Sequence, residues 1–237
     1  MKTKIIYEDQ SVVVCYKPAG LATQTARVGQ QDMVSELKNY LTAGCVNKRD
    51  RSGKQPYLGV VHRLDQPVEG LLVFAKESKA AAALTAQLSE GALNKQYYAV
   101  ICGQPEEESG ELVDYLEKDG ASAIVVTGRE KDFPGAKKAV LQYRAVKKLS
   151  TPDLLTVMDI HIDTGRFHQI RAQMAHAGMS LLGDSKYGSE EAKRISAGLG
   201  VRNVALCAYR VAFKHPVTGR KLEFQIQPEG SIFRKMI

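Results

Sequence analysis

Short runs of apolar residues recur along this chain, many of them rich in β-branched and aromatic side chains and bounded by polar turns. Such runs are typical of β-strands. The first two, at residues 5–7 and 12–16, are separated by a polar stretch and predict a hairpin. The last two, at residues 205–213 and 222–226, predict a pair joined across a turn that contains proline and glycine. Further strands are predicted at residues 58–61, 71–75, 96–101, 121–127, 139–147 and 154–162.

Other segments carry helical periodicity instead. Asp32 is placed to cap a helix with an apolar face over residues 34–41, and Ser78 to cap an alanine-rich helix that stops before Gly91. A third apolar stripe spans residues 167–177. Strands outnumber helices and many are adjacent in sequence, so we expect an α+β fold with a mixed, mostly antiparallel sheet flanked by helices. Because no repeat or linker-like break interrupts the pattern, we expect a single domain over residues 1–237.

Composition narrows the class of protein. With 237 residues, 44% of them hydrophobic and 25% charged, the chain has the make-up of an ordinary globular protein. Apolar runs of membrane-spanning or signal-peptide length are missing, which predicts a cytoplasmic location. The four cysteines are far apart, and the histidine and glycine spacings match no metal-ligand or nucleotide-binding template. We therefore expect neither a metal nor a cofactor.

Charge points toward a polyanionic partner. Lysine and arginine outnumber acids by 33 to 26, giving a net charge of +7. Four basic residues crowd a stretch without apolar periodicity before Tyr57, namely Lys48, Arg49, Arg51 and Lys54. Such a basic loop would suit a phosphate backbone, although a solvated loop without a partner explains the pattern equally well.

A turn in the first third of the chain brings reactive side chains to the edge of a buried element. Arg63 and Asp65 are two residues apart, followed by Pro67, Gly70 and the apolar run at 71–75. Charged groups in this position are held on rigid support. If the backbone is extended, the two side chains share one side of the chain. A plain surface salt bridge between them is the alternative.

Further unusual polar segments follow in order, and together they resemble the RluA-like family of pseudouridine synthases. The matching segments are Lys-Pro-x-Gly at 17–20, His-Arg-Leu-Asp at 62–65, Lys-x-Tyr-x-Ala at 95–99, Thr-Gly-Arg-x-His-Gln-Ile-Arg at 164–171 and Gly-Asp-x-x-Tyr-Gly at 183–188. The resemblance covers almost the whole chain. It implies a pseudouridine synthase fold with a central active-site cleft, and an isomerase that converts uridine in ribosomal or transfer RNA to pseudouridine without a cofactor.

The resemblance also implies site residues. Asp65 falls on the essential carboxylate, which attacks uracil C6 or acts at the sugar C1′; both routes stay open. Tyr97 would lie against the uracil ring, stacking on it or helping to remove the C5 proton. A buried carboxylate needs a cation to stay ionised, and the resemblance assigns that role to Arg171. A solvated charge on a helix face is the alternative for Arg171.

Other residues are assigned to RNA contacts. Arg63 would fill the position that the extruded uridine leaves, with His62 and Arg166 as further RNA-binding residues. Tyr98, on the opposite strand face from Tyr97, is expected in the core, and Glu69 is expected to be solvated. Many members of the family carry a small N-terminal RNA-binding domain; here the first motif begins at residue 17, so we expect none, and we expect a monomer.

Two other classes of function compete with this prediction. A catalytically inactive RNA-binding module of the same fold would not need Asp65, Tyr97 and Arg171 together. A glycoside-cleaving hydrolase would share chemistry at C1′ but normally needs a second carboxylate. The nearest candidates, Glu69 and Asp184, show no obvious partner geometry in the sequence.

Overall fold

The computed structural model describes residues 1–27, 29–47, 56–127, 134–149 and 153–236. The chain divides into two compact units. The first unit comprises Met1–Asn94 and Arg210–Gln227, and the second comprises Lys95–Tyr209 and Pro228–Ile237.

Eleven strands and five helices are formed within the described residues. The strands are β1 (Lys4–Glu8), β2 (Val12–Lys17), β3 (Gly59–Val60), β4 (Glu69–Ala75), β5 (Asn94–Cys102), β6 (Ser109–Asp119), β7 (Ser122–Val126), β8 (Lys137–Leu149), β9 (Leu155–Ile162), β10 (Leu206–Lys214) and β11 (Lys221–Gln225). The helices are α1 (Met33–Asn47), α2 (Ser78–Ser89), α3 (Gln169–His176), α4 (Glu190–Leu199) and α5 (Ser231–Met236).

The first unit is built on antiparallel strands that are apolar along their length. β2 pairs with β1 on one side and β4 on the other, and β4 also pairs with the short β3. Every residue of β2 and β4 is buried, which explains their continuous apolar runs. α2 packs on this layer through Ala80 and Leu84, which join Val73 and Phe213 in the core. The predicted hairpin of β1 and β2 and the predicted pair of β10 and β11 are confirmed.

Helix starts in this unit follow one prediction and contradict another. Asp32 caps α1, because its Oδ1 accepts a hydrogen bond from the Ser35 amide at 2.7 Å. Ser78 is the first residue within α2, whose N-cap is Glu77, so the prediction that Ser78 caps this helix is wrong. Beyond the end of α2, Gly91 adopts a φ of 72°, a left-handed conformation that suits glycine.

The second unit contains an antiparallel sheet in the order β5-β9-β8-β6-β7. One face of this sheet packs against α3, where Leu116, Ala123, Ala139 and Ala172 form a small core. Strand β6 and helices α4 and α5 were not predicted from the sequence. Among the described residues, no helix combines the length and the apolar character that crossing a bilayer requires.

Candidate active site

The turn that carries Asp65 alternates between buried and outward-facing side chains. His62 and Leu64 are buried, Arg63 is exposed and Asp65 is half-buried. Arg63 and Asp65 therefore share the outer side of the chain, as an extended backbone requires. His62 is 8% exposed, and its Nε2 accepts a hydrogen bond from the Val73 amide of β4 at 3.2 Å. The structure thus gives His62 an anchoring role beneath the turn.

The backbone on both sides of Asp65 is fixed by hydrogen bonds to the segment after β2. The Thr23 hydroxyl donates to the Leu64 carbonyl at 2.9 Å and lies 3.3 Å from the Leu64 amide, which donates to it. The Gly20 amide donates to the Gln66 carbonyl at 2.8 Å. Because the residues before and after it are held in this way, Asp65 is attached to rigid support.

Lys17 links the first two motif segments through hydrogen bonds from its buried ammonium. Its side chain is fully buried, and its ammonium donates to the carbonyls of Leu21 at 2.6 Å, Gln66 at 3.0 Å and Pro18 at 3.2 Å. Burial lowers the pKa of Lys17 to about 7, and the negative charges of Asp65 and Glu69 oppose that shift. No role for Lys17 was predicted from the sequence. The sequence feature that could have indicated a role is its position, because Lys17 is a cation at the end of an otherwise apolar strand.

Glu69 is buried rather than solvated, so the prediction for this residue is wrong. It is 3% exposed, and its Oε2 accepts a hydrogen bond from the Tyr16 hydroxyl at 2.5 Å. Glu69 begins the fully buried strand β4, and the phenol supplies the partner that a buried carboxylate requires.

Arg171 occupies a buried position on α3. It is 5% exposed, and its Nε and Nη2 donate to the two carboxylate oxygens of Asp184, each at 2.8 Å. Burial raises the pKa of Asp184, but the Arg171 bonds and charge, together with the Tyr187 and Lys186 amides, more than offset this and hold the pKa below its ordinary value. The alternative of a solvated charge on a helix face is therefore excluded for Arg171. The pairing of Arg171 with Asp184 was not predicted from the sequence.

Tyr187 connects the last two motif segments. Its ring lies 5.0 Å from the Arg171 guanidinium carbon, and its hydroxyl lies 2.8 Å from His168 Nδ1. The Ala123 amide donates to the same hydroxyl at 2.6 Å. His168 adopts a φ of 52°, a left-handed conformation that is rare outside glycine, and its ring stacks on Phe167. This network holds the N-terminus of α3 in one arrangement.

The turn before α3 is held by a buried amide. Gln169 is 4% exposed, and its Oε1 accepts hydrogen bonds from the Thr164 hydroxyl at 2.8 Å and the Arg166 amide at 2.9 Å. Arg166 itself is exposed, and its Nε donates to the Lys138 carbonyl at 2.9 Å. An exposed guanidinium at this point is compatible with the predicted contact to RNA.

Tyr97 lies on β5 and is 5% exposed. Lys95, two residues earlier, shares its strand face and is also buried. Tyr98 on the opposite face is only half-buried and stacks on Tyr209 with 3.8 Å between ring centroids. The prediction that Tyr98 lies in the core is wrong, because this face of the sheet carries polar groups such as Asp159 of β9, which pairs with Tyr98 and accepts a hydrogen bond from the Tyr209 hydroxyl.

The remaining predictions concern position and ligands. Asp65 belongs to the first unit, and Tyr97 and Arg171 belong to the second, so their grouping stays a prediction. The basic loop residues Lys48, Arg49, Arg51 and Lys54 lie outside the described residues. Within the described part of the chain, no group of three or more His, Cys, Asp or Glu side chains is arranged to hold a metal ion.

Comparison with solved structures defines the fold. The human RNA pseudouridylate synthase domain containing 1 superposes with a TM-score of 0.73 at 16% identity, over 95% of this chain and 83% of that one. The human RNA pseudouridylate synthase domain containing 4 gives a TM-score of 0.72 at 20% identity, over 95% and 89% of the two chains. The predicted pseudouridine synthase fold is confirmed.

Sequence comparison defines the family. The family model described as RNA pseudouridylate synthase matches residues 11–176. The ribosomal large subunit pseudouridine synthase D of Zymomonas mobilis is 34% identical over 94% of this chain and 68% of its own length. The tRNA pseudouridine synthase C of Yersinia pestis is 29% identical over 92% of this chain and 84% of its own length. This chain belongs to the RNA pseudouridylate synthase family, whose members are isomerases that act on RNA.

Proposed function

We propose that this chain converts uridines in ribosomal or transfer RNA to pseudouridine, with Asp65 as the essential carboxylate. The observation that carries the proposal is the clamped turn: Asp65 is half-buried, while hydrogen bonds hold the Leu64 and Gln66 backbone on either side. Positioning of this kind keeps a nucleophile in a reactive geometry. The names of relatives that act on ribosomal and transfer RNA support both substrate classes.

The reaction is an isomerisation, so every atom of the substrate is retained. The Asp65 carboxylate forms a bond to uracil C6 or stabilises the sugar at C1′ while the N1–C1′ bond breaks. The detached base turns, a new C5–C1′ bond forms, and a proton leaves C5 while N1 gains one. In the C6 route the bond between Asp65 and C6 then breaks, which regenerates the carboxylate. Tyr97 lines the position of the base, because its buried ring offers a flat apolar surface.

Access to the target requires that the uridine leave its stack, which costs a few kcal/mol. Arg63 is suited to offset that cost, because its exposed planar guanidinium can stack in the vacated position and bind phosphate. Arg171 serves as the counter-ion of Asp65. A guanidinium has five N–H donors, and those of Arg171 at Nε and Nη2 bind Asp184.

The test compares the wild type with Asp65→Asn on unmodified transcripts of large-subunit ribosomal RNA and transfer RNA, with pseudouridine mapped by chemical labelling. The variant keeps the shape of the side chain and removes its nucleophile, so we expect the single-turnover rate to fall by at least about 10³-fold. Binding of RNA should change little. Glu190→Gln is the matched control, because that side chain is 92% exposed on α4.

Each result bears on one alternative. Pseudouridine formation by Asp65→Asn at the rate of the wild type removes Asp65 from the mechanism. A wild type that binds these RNAs but forms no pseudouridine is the inactive binding module. Release of free uracil identifies a hydrolase instead.

A further inference from the structure

Lys95 is a buried cation to which the mechanism assigns no role. It lies on β5, is 8% exposed, and among the described residues its ammonium makes no hydrogen bond or ion pair. Burial lowers its pKa to about 8. Buried charges are normally paired, because an unpaired one loses its hydration without compensation. Lys95 Nζ is not among the fully buried polar atoms of the described residues that lack a partner, so it is accessible to a partner from a ligand.

Open space lies beside this ammonium. A Cβ atom built on Gly165 would be 3.9 Å from Lys95 Nζ and within 4 Å of no other described heavy atom beyond its own chain neighbours. Gly165 is not among the glycines with a positive φ, so the backbone does not require glycine there. The absence of a side chain at this position keeps room for an oxygen atom within hydrogen-bond distance of Nζ.

A second cation and a residue of the proposed reaction are close to this space along the chain. Arg166, next to Gly165 in the chain, presents an exposed guanidinium. Tyr97 lies on the same strand face as Lys95. For Lys95, burial is the cause of the lowered pKa and no neighbouring carboxylate contributes. An anion is the ligand that such a site favours, and the RNA backbone supplies one per nucleotide.

We propose that Lys95 binds a phosphate oxygen of the RNA backbone next to the target uridine, in the space that Gly165 leaves open. This inference rests on the proposed function, because it takes RNA as the substrate. Lys95 is then a substrate-binding residue that exchanges an unpaired buried state for a charge-assisted hydrogen bond when RNA arrives.

The experiment measures RNA affinity of the full chain as a function of salt concentration, with an unmodified transfer RNA transcript as the probe. Each phosphate neutralised by a cation contributes about one to the slope of log K against log salt. Lys95→Met should lower the affinity and reduce the slope by about one. Lys193→Gln, which removes one charge from the exposed face of α4, should leave the slope unchanged.

A second variant tests the space without removing the charge. In Gly165→Ala the new methyl group would meet Nζ at an ordinary contact distance, so the fold should be preserved while the oxygen is excluded. We expect a loss of affinity like that of Lys95→Met, and no further loss in the double variant.

Stability separates this role from a structural one. If Lys95 supported the fold, Lys95→Met would have a lower free energy of unfolding than the wild type. If Lys95 instead binds a ligand, Lys95→Met should be as stable as the wild type or more so at neutral pH. The inference is overturned if Lys95→Met keeps the slope and affinity of the wild type, or if it is strongly destabilised. In either case the proposed function still holds, provided that the wild type forms pseudouridine. If the wild type makes no pseudouridine, the function fails and the slope still decides the role of Lys95.

Discussion

At the scale of single residues, this protein buries charges that each have a different means of compensation. Arg171 and Asp184 neutralise each other through two short hydrogen bonds. Lys17 is compensated by three carbonyls, and Glu69 by a phenol. Every one of these residues lies in or beside a motif segment. Buried charges are costly, so their concentration in the motif segments indicates that position matters more than stability in those segments.

The Arg171–Asp184 pair gives the first prediction. Asp184→Asn keeps the size of the side chain but removes the carboxylate, which leaves a buried guanidinium without its counter-charge. We expect the protein to lose about 3 kcal/mol of unfolding free energy and the single-turnover rate to fall by about 10- to 100-fold, while RNA affinity changes less. Chemical denaturation and pseudouridine mapping measure these effects.

A second Asp–Arg pair in the same unit serves as the control. Asp153 and Arg194 lie 3.4 Å apart, and the Arg194 side chain is 64% exposed. Asp153→Asn should cost less than about 1 kcal/mol and leave the rate unchanged. Equal effects of the two substitutions would show that Asp184 does not position Arg171.

At the scale of elements, apolar patterning predicted the parts of the fold that are buried on both faces. β2 and β4 were found because every residue is buried, and the β10–β11 pair because a short turn joins two apolar runs. β6 was missed because one of its faces is exposed and carries charges such as Glu111, so its sequence shows no continuous apolar run. Surface strands of this kind depend on their neighbours for definition.

α4 was missed although its boundaries carry local signals. Ser189 caps it by accepting a hydrogen bond from the Ala192 amide, and Gly200 ends it at a φ of 69°. The candidate site likewise has features that the sequence predicted and features that it did not. Motif resemblance pointed to Asp65 and Arg171, whereas the bonds from Arg171 to Asp184 and from Lys17 to the Gln66 carbonyl join residues distant in sequence, which no local pattern encodes.

The turn at 183–188 gives a prediction at this scale. Gly183 has a φ of 72°, and a Cβ there would lie 2.0 Å from the Asn203 carbonyl oxygen. Gly183→Ala therefore adds a backbone clash to the cost of a left-handed residue, and we expect a loss of about 2–4 kcal/mol in unfolding free energy. Because the turn carries Asp184, the rate should fall too.

Gly178→Ala is the control for Gly183→Ala, because Gly178 has a similar left-handed conformation without the backbone clash. Its φ is 75°, and a Cβ there would meet no described atom within 4 Å. Gly178→Ala should cost only about 1–2 kcal/mol, the price of the left-handed conformation, and leave the rate unchanged. If both substitutions cost the same in denaturation experiments, close packing around Gly183 is not what fixes the turn.

At the scale of the whole molecule, each compact unit buries one ammonium group among its described residues. Lys17 belongs to the first unit and Lys95 to the second, and burial lowers their pKa values to about 7 and about 8 from an ordinary 10.5. A lysine whose pKa is lower in the folded state binds fewer protons there than in the unfolded chain. Stability is then linked to pH through the difference in bound protons.

The direction of this dependence follows from the two pKa values. Below pH 7 both lysines are protonated in the folded and unfolded states, so the full cost of burial is present. Between about 7 and 10.5 the unfolded chain binds more protons, and the free energy of unfolding should rise with pH, by at most about 1.4 kcal/mol per pH unit for each lysine. Burial raises the pKa of Cys15, whose ordinary value is 9.0, and this opposes the rise at the alkaline end.

Urea denaturation at pH 6, 7, 8 and 9 therefore needs Lys95→Met and Lys17→Met as references. The difference between the wild type and Lys95→Met should be constant up to about pH 8 and change above it, while that for Lys17→Met should begin to change near pH 7. Differences that are flat over this range would mean that neither ammonium loses its proton inside the folded protein, and that each is compensated there more fully than its burial implies.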